Sequence, residues 1–504
     1  MIRIVPILRF LLGFLVATLP GWAASENTNA NPIERKISLE EAIRMALEKN
    51  FLVRVKSFDP MIARAGLTEA WGRYDPKLTG TYQASRDELP DPLDPLTGTR
   101  LGPEVEETNY ASVALVGELP VGTSYKIGGS TTNYRGTFNS FDDAYRTYGG
   151  VTLTQSILRG FGLTPGMFEI RIARTNVAMS EFDYQSSITN VITDVVYAYS
   201  NLYLAQAYLN SARRSRDMAV QLYKENEGRR QRGAMSEYDV LSARARVANR
   251  EEYVLNAERG VRLAQNALKQ LVSDERDLTF FSWQPAVEVF PPVSNVTIDA
   301  ADGFRHALQN RPDFRGAQLG VTRSTLERGY YRNQLLPRVD LTGSYGYNGA
   351  AADYKTSRAD ARRQDYASYA TGVSVSIPLT SAAERGRARA AKLKVKQAET
   401  DLQRLEQDIL VDVTNAAQQV ETTRQRVATT KTARDLNEEM LEAELKRLRA
   451  GTGSTFSVLY QQEQLSSAEI AAAQAQADHR KALAEYDRQI GRTLATHHIA
   501  VHTN

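Results

Sequence analysis

The same arrangement is written twice along this chain, and that repetition limits the fold more than any other feature. The first copy opens with Ser38-Leu39-Glu40-Glu41-Ala42-Ile43-Arg44-Met45-Ala46-Leu47. The second opens with Thr297-Ile298-Asp299-Ala300-Ala301, then Phe304-Arg305-His306-Ala307-Leu308. Arg44, Ala46, Leu47 and Pro76 recur as Arg305, Ala307, Leu308 and Pro337 at one constant offset. After each proline the pattern alternates. Leu78, Gly80, Tyr82 and Ala84 alternate with Lys77, Thr79, Thr81 and Gln83; Val339, Leu341, Gly343 and Tyr345 alternate with Asp340, Thr342 and Ser344. Period-two patterning predicts half-buried strands.

A second strand closes each β section, through Val151, Leu153 and Ile157 in one copy and Val373, Val375, Ile377 and Leu379 in the other. One face is aliphatic, the other small and polar, and the lengths approach the roughly nine to eleven residues of a tilted membrane-crossing strand. Seven tyrosines between Tyr330 and Tyr369 suit an interfacial aromatic girdle. Strands of a water-soluble sandwich alternate identically, so patterning alone leaves both readings open.

Long helices follow the strands. Residues 166–228 hold no proline, and residues 382–450 hold neither proline nor an interior glycine beyond Gly386. Ala391, Val395, Ala398, Leu402, Leu405, Ile409, Val413, Ala416, Val420 and Val427 form a helical stripe in the latter. At 1.5 Å per residue each rod would run roughly 95–100 Å. In the second copy a helix starting at Asn310-Arg311-Pro312 and another from Ser454 to about Ile490 add up to nearly the same length, so one rod can pair with two shorter helices stacked end to end. The returning helices carry a heptad: Val240, Val247, Val254, Val261 and Leu268, then Val458, Leu465, Ala472, His479 and Tyr486. Strict sevens predict left-handed coiled-coil packing. Outside that seam the helices are polar, which predicts a wall wetted on at least one side.

The N-terminus reads as a secretory signal. Arg3 and Arg9 precede the apolar run Phe10-Leu11-Leu12-Gly13-Phe14-Leu15-Val16-Ala17, and small residues near Ala23 supply a cleavage site. No later stretch has about 18 consecutive apolar residues, so no transmembrane helix is expected in the mature chain. Cysteine is absent, which excludes disulfides, thiolate catalysis, cysteine zinc sites and lipidation on cysteine. Basic residues exceed acidic ones only by 62 to 59, giving no electrostatic case for nucleic acid.

This order of elements, given twice in a secreted chain, resembles the TolC family of Gram-negative outer-membrane efflux proteins across residues 38–494. The specific stretches are Leu153-Thr154-Gln155-Ser156-Ile157-Leu158, Gly233 leading into Asp239-Val240-Leu241-Ser242-Ala243-Arg244, Ile377-Pro378-Leu379, and Gly451 leading into Val458-Leu459. The resemblance implies a mainly α fold with a β-barrel part. Long periplasmic coiled-coil helices would form a helical barrel, continued by a trimeric transmembrane β-barrel with four strands per subunit and twelve in all. One subunit's few strands would leave unpaired edges that lipid does not tolerate. Residues 109–134 depart from the family's plainest form. Val113 and Leu115 share a strand face, Leu119-Pro120-Val121-Gly122-Thr123 reads as a turn, and Tyr125-Lys126-Ile127 as a further strand. This extra hairpin would either extend the external loops or widen the barrel.

The layout divides the chain as follows: a signal peptide over 1–23, an N-terminal linker over 24–37, a first repeat over 38–273, an inter-repeat linker over 274–296, a second repeat over 297–491 and a tail over 492–504. The first repeat would hold barrel strands at about 77–158 and a long helix hairpin at about 166–273. In the second repeat these fall at about 338–379 and 382–491.

The candidate functional loops are the helix turns Arg232-Gly233-Ala234-Met235-Ser236 and Ala450-Gly451-Thr452-Gly453-Ser454. Each breaks with glycine and then offers a serine cap. The resemblance implies that these tips dock a periplasmic adaptor, although of the family's valine-glycine-leucine-like docking sequence only the glycine is kept. It also implies a gate nearby, where Asp239 matches a family carboxylate and Ser457 and Tyr460 hold the comparable, non-acidic places. Three copies of Asp239 about an axis would attract cations, or Asp239 is a solvated helix-face residue. His497, His498 and His502 lie in a short polar terminus without a carboxylate ligand pattern, so no metal is expected. There is no phosphate-binding glycine loop, nucleophile elbow or helically spaced histidine pair, so neither enzyme activity nor a cofactor is expected.

The reading is an outer-membrane exit duct of a tripartite efflux system in a Gram-negative bacterium. It would be a homotrimer in outer-membrane lipid, extending into the periplasm and serving small molecules through a periplasmic adaptor and an inner-membrane transporter. The alternatives are a type I protein secretion duct and a secreted coiled-coil structural or adhesive protein.

Overall fold

A computed structural model describes residues 33–90, 96–99, 103–288 and 298–500. The expected signal peptide, with its cleavage at Ala23, lies outside the described residues, as does His502.

The first copy runs β1 (Ile33–Ile37), α1 (Leu39–Lys49), α2 (Phe51–Lys56), α3 (Phe58–Trp71), β2 (Lys77–Leu89), β3 (Glu104–Leu119), β4 (Thr123–Gly136), β5 (Ala144–Ser156), α4 (Leu163–Gly166), α5 (Phe168–Gln231) and α6 (Glu237–Val272). The second runs β6 (Trp283–Val287), α7 (Ala300–Asn310), α8 (Pro312–Asn333), β7 (Arg338–Ala351), α9 (Tyr354–Arg363), β8 (Ala367–Ser376), α10 (Ala382–Arg449), α11 (Thr455–Gln489) and α12 (Thr493–Thr496). The starts of α1 and α7 stand as far apart in the chain as those of β2 and β7, so the repeat holds at the level of elements.

The rods α5 and α10 have 64 and 68 residues, about 96–102 Å at the helical rise. Rod α10 packs along both α8 and α11. The two shorter helices meet end to end: Arg311 donates to the Gln489 side chain at 2.6 Å, and His306 Nδ1 lies 2.9 Å from the Ile490 carbonyl. Gly491 makes this junction possible. It sits at φ +71°, and a Cβ there would stand 2.8 Å from the Asn310 carbonyl carbon. The first copy joins its helices similarly. Asn50 caps α2 by accepting from Leu52 N at 2.8 Å, and its amide donates to the Leu271 carbonyl at 3.0 Å.

Heptad residues face inward along the helices, from Val458 near the tip to the waist. Val254, Val261 and Leu268 are buried, as are Val458, Ala472, His479 and Tyr486. Two cores form there. One gathers Ile37, Ile43, Val53, Ile192, Tyr199 and Leu268; the other gathers Ala307, Phe314, Ile409, Val413, Val420 and Tyr486. Outside these cores the helices keep exposed faces, as their polarity requires.

Several expectations need correction. The stretches read as linkers, 24–37 and 274–296, contain β1 and β6, which pair in parallel from Ile33↔Trp283 to Ile37↔Val287. Ile37 becomes fully buried, and the Tyr199 hydroxyl holds the pair by donating to the Ile37 carbonyl at 3.0 Å and accepting from Glu288 N at 3.1 Å. The tail 492–504 is docked through its described part, because Leu494 and Ile499 pack on the first core. The last strand ends at Ser376 rather than at Leu379: Pro378 has no N–H for a ladder, and Leu379 is left 99 % exposed. The sheet has six strands per chain rather than four. Its order is β2-β3-β4-β5-β7-β8, antiparallel throughout, because residues 109–134 enter it as strands. Among the described residues, no helix is long and apolar enough to cross a membrane.

Two tests follow from this packing. Tyr199→Phe removes both hydroxyl bonds of the β1–β6 clasp at a cost of about 1–3 kcal/mol, so hydrogen exchange of the β1 and β6 amides should accelerate while the β2–β8 amides stay unchanged. The second concerns His479, which is 1 % exposed. The Thr423 hydroxyl gives its hydrogen to the Gln419 or Val420 carbonyl, so the imidazole Nδ1 donates to it at 3.0 Å and Nε2 is left bare among the described residues. Burial, with the Arg480 and Arg424 charges nearby, lowers the pKa of His479. The unfolded chain takes up this proton near pH 6.5 and the fold resists it, so His479 opposes folding increasingly as pH falls below about 6.5. The loss of thermal stability between pH 7.5 and 5.5 should be smaller in His479→Gln than in the native chain.

Candidate channel wall and helical tips

In an antiparallel sheet, directly opposed residues point to the same face. One row therefore runs across all six strands: Leu78↔Leu115↔Ile127↔Val151↔Tyr345↔Tyr369. Every member is apolar or aromatic, and all are exposed, from 37 % at Val151 to 79 % at Tyr369. Val113, Leu153, Leu341, Val373 and Val375 lie on the same face and are also exposed. The row one residue along, on the opposite face, reads Lys77↔Val116↔Lys126↔Thr152↔Ser344↔Ala370, and its neighbours Thr81, Ser130, Thr154 and Thr342 are small and polar. A strip with one exposed apolar face and one polar face suits hydrocarbon on the first side and water on the second. Apart from α9, the helices attach at one end of the strands, where β2 and β7 begin and β5 and β8 finish. Helix α9 lies beyond the far end of the apolar band, where Ser357 is fully buried and donates to Thr147 Oγ1 at 2.9 Å.

The tips form where α5 turns into α6 and α10 into α11. Gly233 adopts φ +74° and Gly451 φ +77°, a left-handed geometry that ends a helix at little cost only for glycine. Gly233 N donates to the Arg230 carbonyl at 2.8 Å, and Ala234 N to the Arg229 carbonyl at 2.9 Å. In the second tip Thr452 N and Gly453 N both donate to the Arg447 carbonyl at 3.1 Å. Gly453 is also sterically required, since a Cβ there would stand 2.8 Å from Leu448 N. Each return helix is then capped. Ser236 Oγ accepts from Asp239 N at 3.2 Å, and Ser454 Oγ accepts from Ser457 N at 3.1 Å. Arg232, Ala234, Met235 and Ala450 complete the two turns.

Of the candidate gate residues, Asp239 is drawn into the cap, its carboxylate accepting from the Ser236 hydroxyl at 2.6 Å. Ser457 sits in the equivalent cap, with its hydroxyl 2.7 Å from that of Ser454. Tyr460 is 57 % exposed and lines a shallow groove with Met440, Arg447 and Phe456. Sequence reasoning missed one matched pair: Tyr238 and Phe456 stand two residues past the cap serines Ser236 and Ser454, and both are largely exposed. Comparing the two return helices from their cap serines onward would have found them. The rods also end in basic turns, with Arg229 and Arg230 in one and Lys446, Arg447 and Arg449 in the other, which complement the negative helix ends and leave the tips basic.

The four long helices lie in the row α6, α5, α11, α10. Polar contacts tie the two hairpins together: Ser211 Oγ donates to Glu469 at 3.0 Å, Arg214 pairs with Glu469 at 3.0 Å, and Arg250 pairs with Glu463. Near the tips Met218 of α5 packs against Leu441, Leu448 and Val458. The row is therefore a single wall segment with two tips at one end.

This geometry agrees with comparisons to known proteins. The chain is 23 % identical over 389 residues to the outer membrane efflux protein BepC of Brucella suis, covering 76 % of this chain and 79 % of that protein. Among solved structures it is similar to the Campylobacter jejuni CmeC outer membrane channel, with a TM-score of 0.65, 19 % identity and coverage of 90 % of this chain and 86 % of the other. It is likewise similar to the outer membrane protein VceC of Vibrio cholerae, with a TM-score of 0.64, 15 % identity and coverage of 90 % and 96 %. The model of the family described as outer membrane efflux protein matches residues 106–273 and 304–492. The match takes in most of the chain, with part of each copy of the repeat, so the chain belongs to the outer membrane efflux protein family.

Proposed function

We propose that this outer-membrane efflux channel is the exit duct of a tripartite system, a homotrimer whose helices continue the barrel across the periplasm. An inner-membrane transporter would supply the energy and a periplasmic adaptor would join it to the duct, with small molecules as cargo. The observation that carries this reading is the separation of roles along one axis. A sheet with a lipid-compatible face stands at one end of rods about 96–102 Å long, and two matched tips stand at the other. In this reading the exposed pair Tyr238 and Phe456, the basic last turns and the residues from Arg232 to Ser236 and from Ala450 to Ser454 meet the adaptor. Asp239, Ser457 and Tyr460 stand just behind them, where the duct narrows. The tips seal by helix packing, and opening separates the two hairpins.

Two experiments test it. A photocrosslinker at Thr452 in living cells should capture a periplasmic adaptor, and Phe456→Ala should weaken that capture without lowering the level of the protein. Capture of nothing periplasmic, with expression and crosslinking controls intact, removes the docking claim. The second uses the lack of cysteine in the native chain. The pair Ala234→Cys and Thr452→Cys should, once oxidised to a disulfide, stop export until a reductant is added. Unchanged flux with the crosslink formed places the gate elsewhere.

A further inference from the structure

The hairpin β3–β4 interrupts a simple duplication. The second copy contributes two strands to the sheet and the first contributes four. We propose that this hairpin is part of the barrel wall, so that three copies close eighteen strands and the outer-membrane exit is wider than twelve strands would make it. The inference rests on the trimeric duct reading above and concerns the surface each copy offers the next.

Three observations support it. First, the hairpin carries the membrane pattern itself. Leu115 and Ile127 sit in the middle of the apolar row, flanked by Leu78 on one side and Val151 on the other, and Lys126 and Ser130 fall on the polar face with Thr152 and Thr154. A hairpin outside the membrane, or folded into the lumen, has no reason to expose an apolar row level with the rest of the sheet. Second, its ladder is continuous. β3 pairs with β2 from Lys77↔Val116 to Leu89↔Glu104, and β4 pairs with β5 from Thr123↔Gln155 to Tyr134↔Ala144. Taking the hairpin out of the wall would break both ladders in a medium that cannot replace their hydrogen bonds.

Third, the hairpin's turn is built into the strand-to-helix junction. Ser156 N donates to the Gly122 carbonyl at 3.1 Å and Gly162 N to the Val121 carbonyl at 3.1 Å. Gly122 adopts φ +86°, and a Cβ there would stand 2.4 Å from the Gly160 carbonyl oxygen.

The free edges are β2 and β8. With an even number of alternating strands, β2 runs opposite to β8, so β8 of one copy meets β2 of the next antiparallel and the ring closes as an up-and-down barrel. With strands about 4.8 Å apart and tilted by about 40°, eighteen strands enclose a backbone diameter of about 36 Å, against about 24 Å for twelve. The polar inner face leaves that space to water and cargo.

The test uses the full-length protein in lipid nanodiscs, with bimane attached to Leu115→Cys, Ile127→Cys or, as reference, Val151→Cys. Brominated lipid should quench all three to the same extent, and single-particle imaging should count eighteen strands around a threefold axis. Quenching of the hairpin labels by a water-soluble quencher alone, or a trimer of twelve strands, overturns the wide barrel and leaves the duct reading intact. A dimer closing twelve strands overturns both the count and the trimer. A monomer that needs no detergent overturns the duct reading itself, and the barrel with it.

Discussion

A strand in hydrocarbon must give its backbone amides and carbonyls to another strand, because nothing else in lipid will take them. The rest of this protein can be read from that requirement. The six-stranded sheet satisfies its interior ladders within the chain and leaves β2 and β8 as edges. Its outward row is apolar and unsupported by any core, so neither edge nor row is stable in water alone. Both demands call for further strands at the edges and hydrocarbon against the row.

The helical half meets a different constraint with different means. Rods of 64 and 68 residues cannot be stabilised by propensity alone, and only one stripe of each is apolar. Their cores are concentrated at the waist, where α1, α7 and the β1–β6 clasp pack around them, and towards the tips the buried apolar residues are sparser, among them Ala219, Leu222, Ala243, Leu441, Leu448 and Val458. Thin packing at the tips is compatible with movement there, since local opening requires little apolar surface to be exposed. The waist, with fully buried Tyr199 and Lys269 bonded to backbone carbonyls, is the fixed point.

Much of this was legible in the residues. Pro312 opens α8, glycine and serine bracket each tip, and the sevens from Val254 to Leu268 and from Val458 to Tyr486 mark buried positions, because helix caps and periodicity are local properties. The clasp was not legible: Ile33–Ile37 and Trp283–Val287 are short, lie far apart in sequence and include Pro285, and a parallel pair has no turn between its strands to announce it. At the tips the capping serines were visible, whereas the capture of the Asp239 carboxylate by Ser236 depended on a side-chain rotamer. The exposed pair Tyr238 and Phe456 escaped notice because a lone aromatic in a helical run reads as core.

The sequence by itself determined the duplication, the lengths of the rods, the turns that end them and the two-sidedness of each strand, because all of these are set by residues within a few positions of one another. Only the tertiary structure decided how many strands stand in one wall. Whether residues 109–134 join the sheet depends on Ile127 finding Val151 on one side and Leu115 on the other, and on Gly122 fitting against Gly160. Alternation records which face of a strand meets oil and which meets water. It does not record the neighbour, since the hydrogen bonds that choose the neighbour are made by a backbone that is the same at every position.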